Sequence, residues 1–291
     1  MAFETTTDEV LEGVDLTGKT VLVTGASAGL GTETVRALQS KGAEVVGAVR
    51  SPGKAKDRVS CDLVEVDLGS LASVRQGAAA AAERLPRIDL LINNAGVMAC
   101  PLERTADGFE LQLGTNHLGH FAWTTALLGN LSSDARIINV SSRGHFLTGM
   151  LWDDPNFDDA SRYEKWKAYG QSKTANILFT VELEKRLAAQ GIHAYALHPG
   201  VIFTELSRHL TEDDRAGLTT RLSGLVLKTT EQGAATQVWA ATSPSLEGRG
   251  GLYLEDCHVA GPTDGNSGYA AWAVDPDEAT RLWDWSVEQT S

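Results

Sequence analysis

The sequence has no long hydrophobic run and little cysteine, and both absences limit where the protein can act. No stretch reaches about 18 consecutive apolar residues, so we expect no transmembrane helix and no membrane insertion. The opening "MAFETTTDEVLEGVDLTGK" lacks the basic region and the apolar core of a secretory signal. The 3 cysteines are odd in number and widely spread, which favours free thiols in a reducing cytoplasm over a disulfide framework.

Basic residues are scarce as well. The 25 lysines and arginines are outnumbered by 38 acidic residues, and the formal net charge is −13. Because nucleic acids are bound by basic surfaces, this balance argues against DNA or RNA as a partner. No group of cysteines and histidines has the spacing of zinc ligands, and "DCHV" at 256–259 is too weak a signal to predict a metal site. We therefore expect no bound metal.

Short β-branched runs alternate with longer amphipathic stretches along the 291 residues. The predicted strands are 20–24, 43–49, 61–67, 88–93, 136–141, 193–198 and 251–255. Helices are predicted near 30–41, 70–84 and 108–129, and another helix carries "YGQSK" at 169–173. Nearly continuous apolar strands separated by helices indicate a parallel sheet covered on both faces. We predict one α/β domain over 1–291, Rossmann-like and doubly wound, with about seven mainly parallel strands.

Four segments lie outside this alternation. Residues 1–17 and 256–291 are predicted to be terminal extensions. Residues 143–168 and 201–230 are long connections, which in compact domains are commonly functional, although irregular surface insertions are the alternative. We predict that both connections frame a substrate entrance. Trp152 and Trp166 flank the first one, either as walls of a pocket or as packing that holds the connection on the domain.

A glycine-rich turn follows the first strand in "TVLVTGASAGLG". Glycines there permit a tight turn and close approach of a pyrophosphate, while the start of a helix offers free N–H groups and the positive end of its dipole. A merely structural turn is the alternative, but the position between first strand and first helix favours nucleotide binding. The candidate cofactor-binding residues are Gly25, Ser27, Ala28, Gly29, Leu30 and Gly31.

The end of the second strand indicates which dinucleotide is bound. Proteins specific for NAD place an acidic residue there to bind the ribose 2′-hydroxyl. This sequence has Val49 and then Arg50, whose guanidinium can bind a 2′-phosphate, with Lys54 and Lys56 nearby. A solvated loop arginine is the alternative. We predict NADP(H), preferred over NAD(H), as the cofactor.

The stretch "YGQSK" sets Tyr169 and Lys173 one turn apart on a helix. A tyrosine with its ordinary pKa of about 10 is a poor base at neutral pH. A partly desolvated lysine nearby would lower that pKa, and an oxidised nicotinamide would add to the effect. Such pairs more often lie on a surface, so the interpretation depends on companions. Ser141 and Ser142 end a strand at the edge where doubly wound sheets bind ligands.

Together these motifs resemble the short-chain dehydrogenases/reductases. In order along about residues 18–255 they are "TGASAGLG", "NNAG", the asparagine of "LGTNHLGHF", "NVSS", "YGQSK" and "HPG". The long stretch between "NVSS" and "YGQSK", with "SKTANILF" and "KTTEQGAATQVWAAT", resembles the retinol-dehydrogenase-like branch, including its soluble bacterial members.

The resemblance implies a role for each matching residue. Tyr169 would be the general acid/base, Lys173 would lower its pKa and bind the nicotinamide ribose, and Ser142 would orient the substrate carbonyl. Whether Ser141 contributes beside Ser142 stays open. Asn116 would hold a water that links Lys173 to solvent. Further implied cofactor contacts are Asp67 and Leu68 at the adenine, Asn94, Ala95 and Gly96 at its ribose, and Pro199, Gly200, Val201 and Thr204 at the nicotinamide end.

We therefore predict an NADP(H)-dependent oxidoreductase that interconverts an alcohol with an aldehyde or ketone, acting on a moderately large apolar small molecule. The alternative is an NADP(H)-binding sensor or scaffold without turnover, since a fold does not guarantee activity. A dehydratase or epimerase would need a substrate domain of its own. A hydrolase is disfavoured, because "GASAG" continues into a phosphate-binding loop. The resemblance also implies a homodimer or homotetramer.

Overall fold

The computed structural model describes residues 1, 3–202, 206–207, 210–212, 214, 227–263 and 267–291. Eight strands of these residues form one sheet in the order β3-β2-β1-β4-β5-β6-β7-β8. The strands are β1 (Thr20–Thr24), β2 (Glu44–Val49), β3 (Asp62–Glu65), β4 (Ile88–Asn93), β5 (Leu131–Val140), β6 (His193–His198), β7 (Leu252–Glu255) and β8 (His258–Val259). Neighbours pair in parallel except β8, which runs antiparallel to β7. The predicted doubly wound, mainly parallel sheet is confirmed, and β8 adds a strand too short to predict from a sequence pattern.

Helices cover the sheet on both faces. In the described residues they are α1 (Thr7–Val10), α2 (Gly29–Gln39), α3 (Pro52–Ala55), α4 (Leu71–Arg84), α5 (Leu111–Leu113), α6 (Gly119–Leu127), α7 (Lys165–Leu187), α8 (Thr230–Thr242) and α9 (Pro276–Thr290). On one face, α2 and α8 bury Leu38 and Val238 against the strands. On the other face, α4, α6 and α7 bury Val74, Phe121 and Leu183. All residues of β4 are buried, as a central strand covered on both faces requires.

The predicted helix near 108–129 is wrong in two respects. It begins only at Leu111, because the Glu110 carboxylate accepts hydrogen bonds from the N–H groups of Gln112 and Leu113 at 2.9 and 2.7 Å and so caps the helix. A π-helical turn over Gly114–Leu118 then separates α5 from α6. Such turns are frequent at functional sites, and no apolar pattern in the sequence marks this one.

The terminal segments pack onto the sheet-covering helices. Thr6 and Glu9 form a reciprocal cap at the start of α1. The hydroxyl of Thr7 donates to the buried carboxylate of Glu33 and so joins α1 to α2. α9 lies along α7, where the Arg186 guanidinium sits 4.2 Å from the centre of the Trp283 ring. No helix among the described residues is long and apolar enough to cross a bilayer.

Candidate active site

Most of the predicted site residues lie at or beside the carboxyl ends of β1, β4, β5 and β6. The chain leaves β1 toward the face covered by α2 and leaves β4 toward the face covered by α6, although the two strands are neighbours. Such a reversal opens a crevice at the end of the sheet, and doubly wound proteins bind their ligands there.

The glycine-rich loop has the conformation that its sequence predicts. Gly25 and Gly29 have φ of +68° and +52°, in the left-handed region that favours glycine. A Cβ atom on Gly31 would lie 2.2 Å from the Gly25 carbonyl oxygen, so a larger residue does not fit. The residue before α2, Ala28, offers no side chain to accept from the first turn of the helix. N–H groups of that turn are thus left to bind an anion such as a pyrophosphate.

Asn94, Ala95 and Gly96 form a wall between this loop and the catalytic candidates. The Asn94 side-chain N–H donates to the Thr24 carbonyl at 2.9 Å. A Cβ atom on Gly25 would lie 2.9 Å from the Ala95 Cα, so loop and wall are in close contact. On the other side, a Cβ atom on Gly96 would lie 3.2 Å from Asn116 Oδ1 and 3.7 Å from Lys173 Nζ.

Tyr169 is buried on α7, and its phenol faces the turn that follows β5. Ser142 lies beside the phenol: its hydroxyl oxygen accepts from the Gly144 N–H at 3.1 Å, and a Cβ atom on Gly144 would lie 3.6 Å from that oxygen. Two glycines permit this approach. A Cβ atom on Gly144 would lie 2.7 Å from Tyr169 Cε1, and one on Gly170 would lie 2.9 Å from the Gly144 carbonyl oxygen.

Lys173 is also buried, one turn further along α7. Its ammonium donates to the Val140 carbonyl at 3.0 Å and lies 5.7 Å from the centre of the Tyr169 ring. The hydroxyl of Ser141 donates to the main-chain carbonyl of Lys173 at 2.8 Å. Ser141 therefore anchors α7 to β5, whereas its neighbour Ser142 faces Tyr169.

Asn116 lies in the π-helical turn with its side chain fully bonded. The amide N–H groups donate to the Val97 carbonyl at 2.9 Å and to the Ser172 hydroxyl at 3.0 Å. The amide oxygen accepts from the Val97 N–H at 2.8 Å. The main-chain carbonyl of Asn116 accepts from His120 Nδ1 at 3.0 Å. The side chain thus fixes the wall next to Lys173.

Burial moves both catalytic candidates toward their neutral forms. It raises the pKa of Tyr169 to about 12, against a smaller opposing effect of the nearby Ser142 hydroxyl. It lowers the pKa of Lys173 to about 8. The expectation that the lysine brings the tyrosine pKa toward neutrality is therefore not met in the protein alone, because desolvation outweighs the stabilisation of a phenolate. At neutral pH the Tyr169 phenol keeps its proton.

The predicted adenosine end lies at the ends of β2 and β3. Arg50 follows β2 directly and is exposed, as are Lys54 and Lys56. After β3, the Asp67 carboxylate accepts from the Gly69 N–H at 2.9 Å, which shapes the turn. Leu68 is buried. Three positively charged side chains are thus exposed to solvent at the predicted adenosine end of the site.

At the opposite end, Pro199, Gly200 and Val201 follow β6. Gly200 has φ of +98°, and a Cβ atom on it would lie 2.6 Å from Lys228 Cδ. The buried ammonium of Lys228 pairs with the Asp256 carboxylate at 2.5 Å, and the main-chain N–H of Lys228 donates to the Val201 carbonyl at 3.0 Å. Thr204 lies outside the described residues, as does most of the 201–230 segment.

Sequence reasoning missed the link between the wall and the π-helical turn. The Thr24 hydroxyl oxygen accepts from the N–H groups of Asn94 and Ala95 at 3.0 and 3.1 Å, and it lies 2.8 Å from His120 Nε2. His120 Nδ1 bonds the Asn116 main-chain carbonyl, which can only accept, so Nδ1 carries the proton. Nε2 therefore accepts from the Thr24 hydroxyl. Burial lowers the pKa of His120 to about 4, so the ring stays neutral. The one available signal was the position of His120, one helical turn after Asn116.

The two tryptophans of the 143–168 connection have different roles. Trp152 donates from Nε1 to the Glu278 carboxylate at 2.6 Å and packs near Trp285 of α9. Trp152 thus holds the connection on the domain, the second of the two roles considered for it. The Trp166 ring lies 6.4 Å from the Tyr169 ring in an edge arrangement. Only Trp166 thus stands beside the candidate acid.

The chain is similar to known oxidoreductases over most of its length. A family model described as short chain dehydrogenase matches residues 19–152. A protein from Streptomyces lividans named probable oxidoreductase is 44% identical, with 96% of this chain and 99% of that protein covered. Retinol dehydrogenase 12 from Homo sapiens is 40% identical, with 94% of this chain and 87% of that protein covered.

Solved structures agree with this similarity. An uncharacterized protein from Mycobacterium paratuberculosis superimposes with a TM-score of 0.74 at 36% identity, covering 95% of this chain and 94% of its own. The complex of Pseudomonas aeruginosa RhlG with NADP superimposes with a TM-score of 0.66 at 25% identity, covering 83% of this chain and 95% of the RhlG chain.

Proposed function

The chain belongs to the short-chain dehydrogenase/reductase family, and from that membership we propose that it is an NADP(H)-dependent oxidoreductase interconverting an alcohol with an aldehyde or ketone. One observation carries the proposal: the Tyr169 phenol is buried, with Ser142 beside it across Gly144 and the Lys173 ammonium 5.7 Å from its ring centre. A sensor or scaffold that only binds the dinucleotide has no need of a buried acid with a lysine beside it.

Tyr169 would act as the acid in the reducing direction. As a carbonyl is reduced, its oxygen gains negative charge and requires a proton. A pKa raised to about 12 keeps the phenol protonated at neutral pH, so Tyr169 holds that proton ready. The Ser142 hydroxyl would donate to the same oxygen and stabilise the charge. When bound, NADPH supplies the hydride.

Lys173 and Asn116 would serve the return of the proton. Lys173, with its pKa lowered to about 8, can give up or take a proton near neutral pH. Its ammonium favours a phenolate on Tyr169, which alcohol oxidation requires. Because the Asn116 side chain is already bonded to Val97 and Ser172, we place the proposed water on the second lone pair of the Asn116 main-chain carbonyl, whose first accepts from His120 Nδ1.

The cofactor would lie across the carboxyl ends of the strands. The glycine-rich loop, residues 25–31, would bind the pyrophosphate through the uncapped start of α2. Asp67, Leu68 and the 94–96 wall would hold the adenosine, and Pro199 to Val201 the nicotinamide end. Exposed Arg50 supports NADP(H) over NAD(H), since its guanidinium can bind a 2′-phosphate.

The substrate would be an apolar carbonyl compound or alcohol. Large apolar side chains are exposed around the turn that follows Ser142: Leu147 at 45% and Trp272, which donates to the His145 carbonyl, at 44%. Leu147 packs at Gly170, next in sequence to Tyr169, and the Trp272 ring lies 3.5 Å from a Cβ position on Gly149. Binding sites are commonly apolar with a few polar groups, and here those would be Ser142 and Tyr169.

The test is NADPH consumption by the purified protein with a panel of aliphatic, aromatic and terpenoid aldehydes and ketones. Turnover that disappears in Tyr169→Phe protein would establish a carbonyl reductase and rank its substrates. Tight NADPH binding with no turnover of any panel member would favour the sensor alternative. NADH turnover equal to that with NADPH would contradict the cofactor preference.

A further inference from the structure

We propose that His145 is a positioning residue that holds Ser142 against Tyr169 and ties this turn to the C-terminal segment 267–274, an inference that rests on the function proposed above. His145 lies in the 3₁₀ turn Arg143–Leu147 that follows Ser142. It is completely buried, although no step of the reaction uses it.

Both ring nitrogens of His145 are bonded to the main chain. Nδ1 lies 2.7 Å from the Ser142 carbonyl oxygen, and Nε2 lies 3.2 Å from the Ala270 nitrogen. A carbonyl only accepts and an N–H only donates, so Nδ1 carries the proton and Nε2 accepts. The neutral ring with its proton on Nδ1 satisfies both partners at once. His145 thus connects a carbonyl of the catalytic turn to an N–H far along the chain.

The ring is held on several sides and cannot easily turn. It contacts the Tyr253 ring at 5.1 Å between centres and the Phe146 ring at 4.1 Å. The main-chain carbonyl of His145 accepts from Trp272 Nε1 at 3.3 Å. The Thr174 hydroxyl of α7 lies 3.2 Å from the same carbonyl and 2.7 Å from that of Thr148, between which its one proton is shared. These contacts hold the main chain from which the imidazole reaches Ser142.

The bonds to the Ser142 carbonyl set the orientation of the catalytic hydroxyl. That carbonyl accepts from both the main-chain N–H of His145, at 3.1 Å, and its Nδ1. Two donors on one oxygen restrict rotation of the peptide between Ser142 and Arg143. The main chain of Ser142 is extended, at φ −166° and ψ 159°, and its side-chain oxygen accepts from Gly144, whose Cβ position lies against the Tyr169 ring. Displacing a catalytic group by roughly 1 Å can cost about 100-fold in rate.

Two substitutions separate the halves of this link. In His145→Asn, the amide N–H can take the place of Nδ1 and donate to Ser142, but the contact with Ala270 is lost. In His145→Gln, the amide oxygen can take the place of Nε2 and accept from Ala270, but the donor to Ser142 is lost. His258→Gln, at a histidine with 54% of its side chain exposed, is the matched control.

We expect His145→Gln to lower kcat by about 10- to 100-fold, with KM and the NADPH dissociation constant within about 3-fold of wild type. His145→Asn should lose less than about 5-fold in kcat, because the Ser142 donor remains. Equal losses in the two variants that follow their melting temperatures would overturn the inference, since that is the result of a purely structural role.

A second readout needs no substrate. In protein labelled with ¹³C at tyrosine Cζ, the Tyr169 resonance is identified by its absence from Tyr169→Phe. It should shift in His145→Gln and keep its wild-type position in His145→Asn and His258→Gln. An unchanged resonance in His145→Gln would contradict the positioning role. If wild type reduces no carbonyl, the proposed function fails, but this resonance still decides the role of His145.

Discussion

The glycine-rich loop after β1 and the Tyr169 face of α7 lie at the same edge of the sheet, but different groups form them. The loop offers main-chain N–H groups, which are available because Gly25 and Gly29 adopt left-handed φ and Gly31 allows close approach. The α7 face offers side chains, Tyr169 and Lys173, whose pKa values burial has shifted in opposite directions.

The difference separates binding from chemistry. A loop that acts through its main chain depends on the space and dihedral angles of a few consecutive residues. A catalytic face that acts through buried side chains depends on neighbours from the whole chain, such as Ser142 and Val140. Changes in the loop should therefore weaken cofactor binding, and changes on α7 should lower turnover.

The largest effect is expected on the α7 face. Tyr169→Phe removes the proton donor, and kcat should fall by about 100- to 10,000-fold. NADPH affinity, measured by fluorescence titration, should stay within about 3-fold, because the dinucleotide is held mainly by main-chain groups of the loop. Substantial residual turnover would remove Tyr169 from the mechanism. A large loss of NADPH affinity would show that the α7 face contributes to cofactor binding as well as to catalysis.

The loop should show the opposite response. In Gly31→Ala the new Cβ atom would meet the Gly25 carbonyl oxygen at 2.2 Å, so the loop must move. We expect NADPH to bind about 10- to 100-fold more weakly, the range of typical overpacking costs. The control is Gly129→Ala, an exposed glycine with nothing within 4 Å of its Cβ position, which should bind like wild type. Unchanged NADPH binding by Gly31→Ala would contradict the assignment of the glycine-rich loop to the pyrophosphate.

Burial of Lys173 should appear in the pH dependence of stability. Its pKa is about 8 in the folded protein against 10.5 for a free lysine. Between these values the unfolded chain binds more protons, so the free energy of unfolding should rise with pH by about 2 kcal/mol from about pH 7.5 to 9.5. The free energy of unfolding is measured by urea titration at each pH for wild type and for Lys173→Met. The other titrating groups are present in both proteins, so the difference between the two pH profiles is the contribution of Lys173. The same rise in both proteins would show that Lys173 is not the cause.

The smallest effect is expected at Arg50. Arg50→Ala removes an exposed guanidinium, and NADPH binding should weaken by about 10-fold, as for a hydrogen bond to a charged group. NADH binding should not change, since NADH lacks the 2′-phosphate. A low-salt fluorescence titration with each dinucleotide measures the ratio. Equal losses for both would defeat the assignment of Arg50 to the 2′-phosphate.

Much of the fold was predictable from the sequence. The predicted bounds of β1, β4 and β6 agree with the structure, because these strands are short apolar runs between clear breaks. The family predicted from the ordered motifs "TGASAGLG" to "HPG" is confirmed. It was predictable because each motif is a short run of consecutive residues that can be read directly from the sequence. The start of β5 at Leu131 was missed, because "LSSDA" has little apolar pattern.

The sequence by itself determined the order of strands and helices, the glycine positions and the pairing of Tyr169 with Lys173 on one helix face. These are local properties, set by dihedral angles and by the helical period. Only the tertiary structure decided that Ser142 faces Tyr169 while Ser141 anchors Lys173, and that His145 reaches Ala270. It also decided the direction of the Tyr169 pKa shift, because desolvation depends on which distant residues cover a side chain.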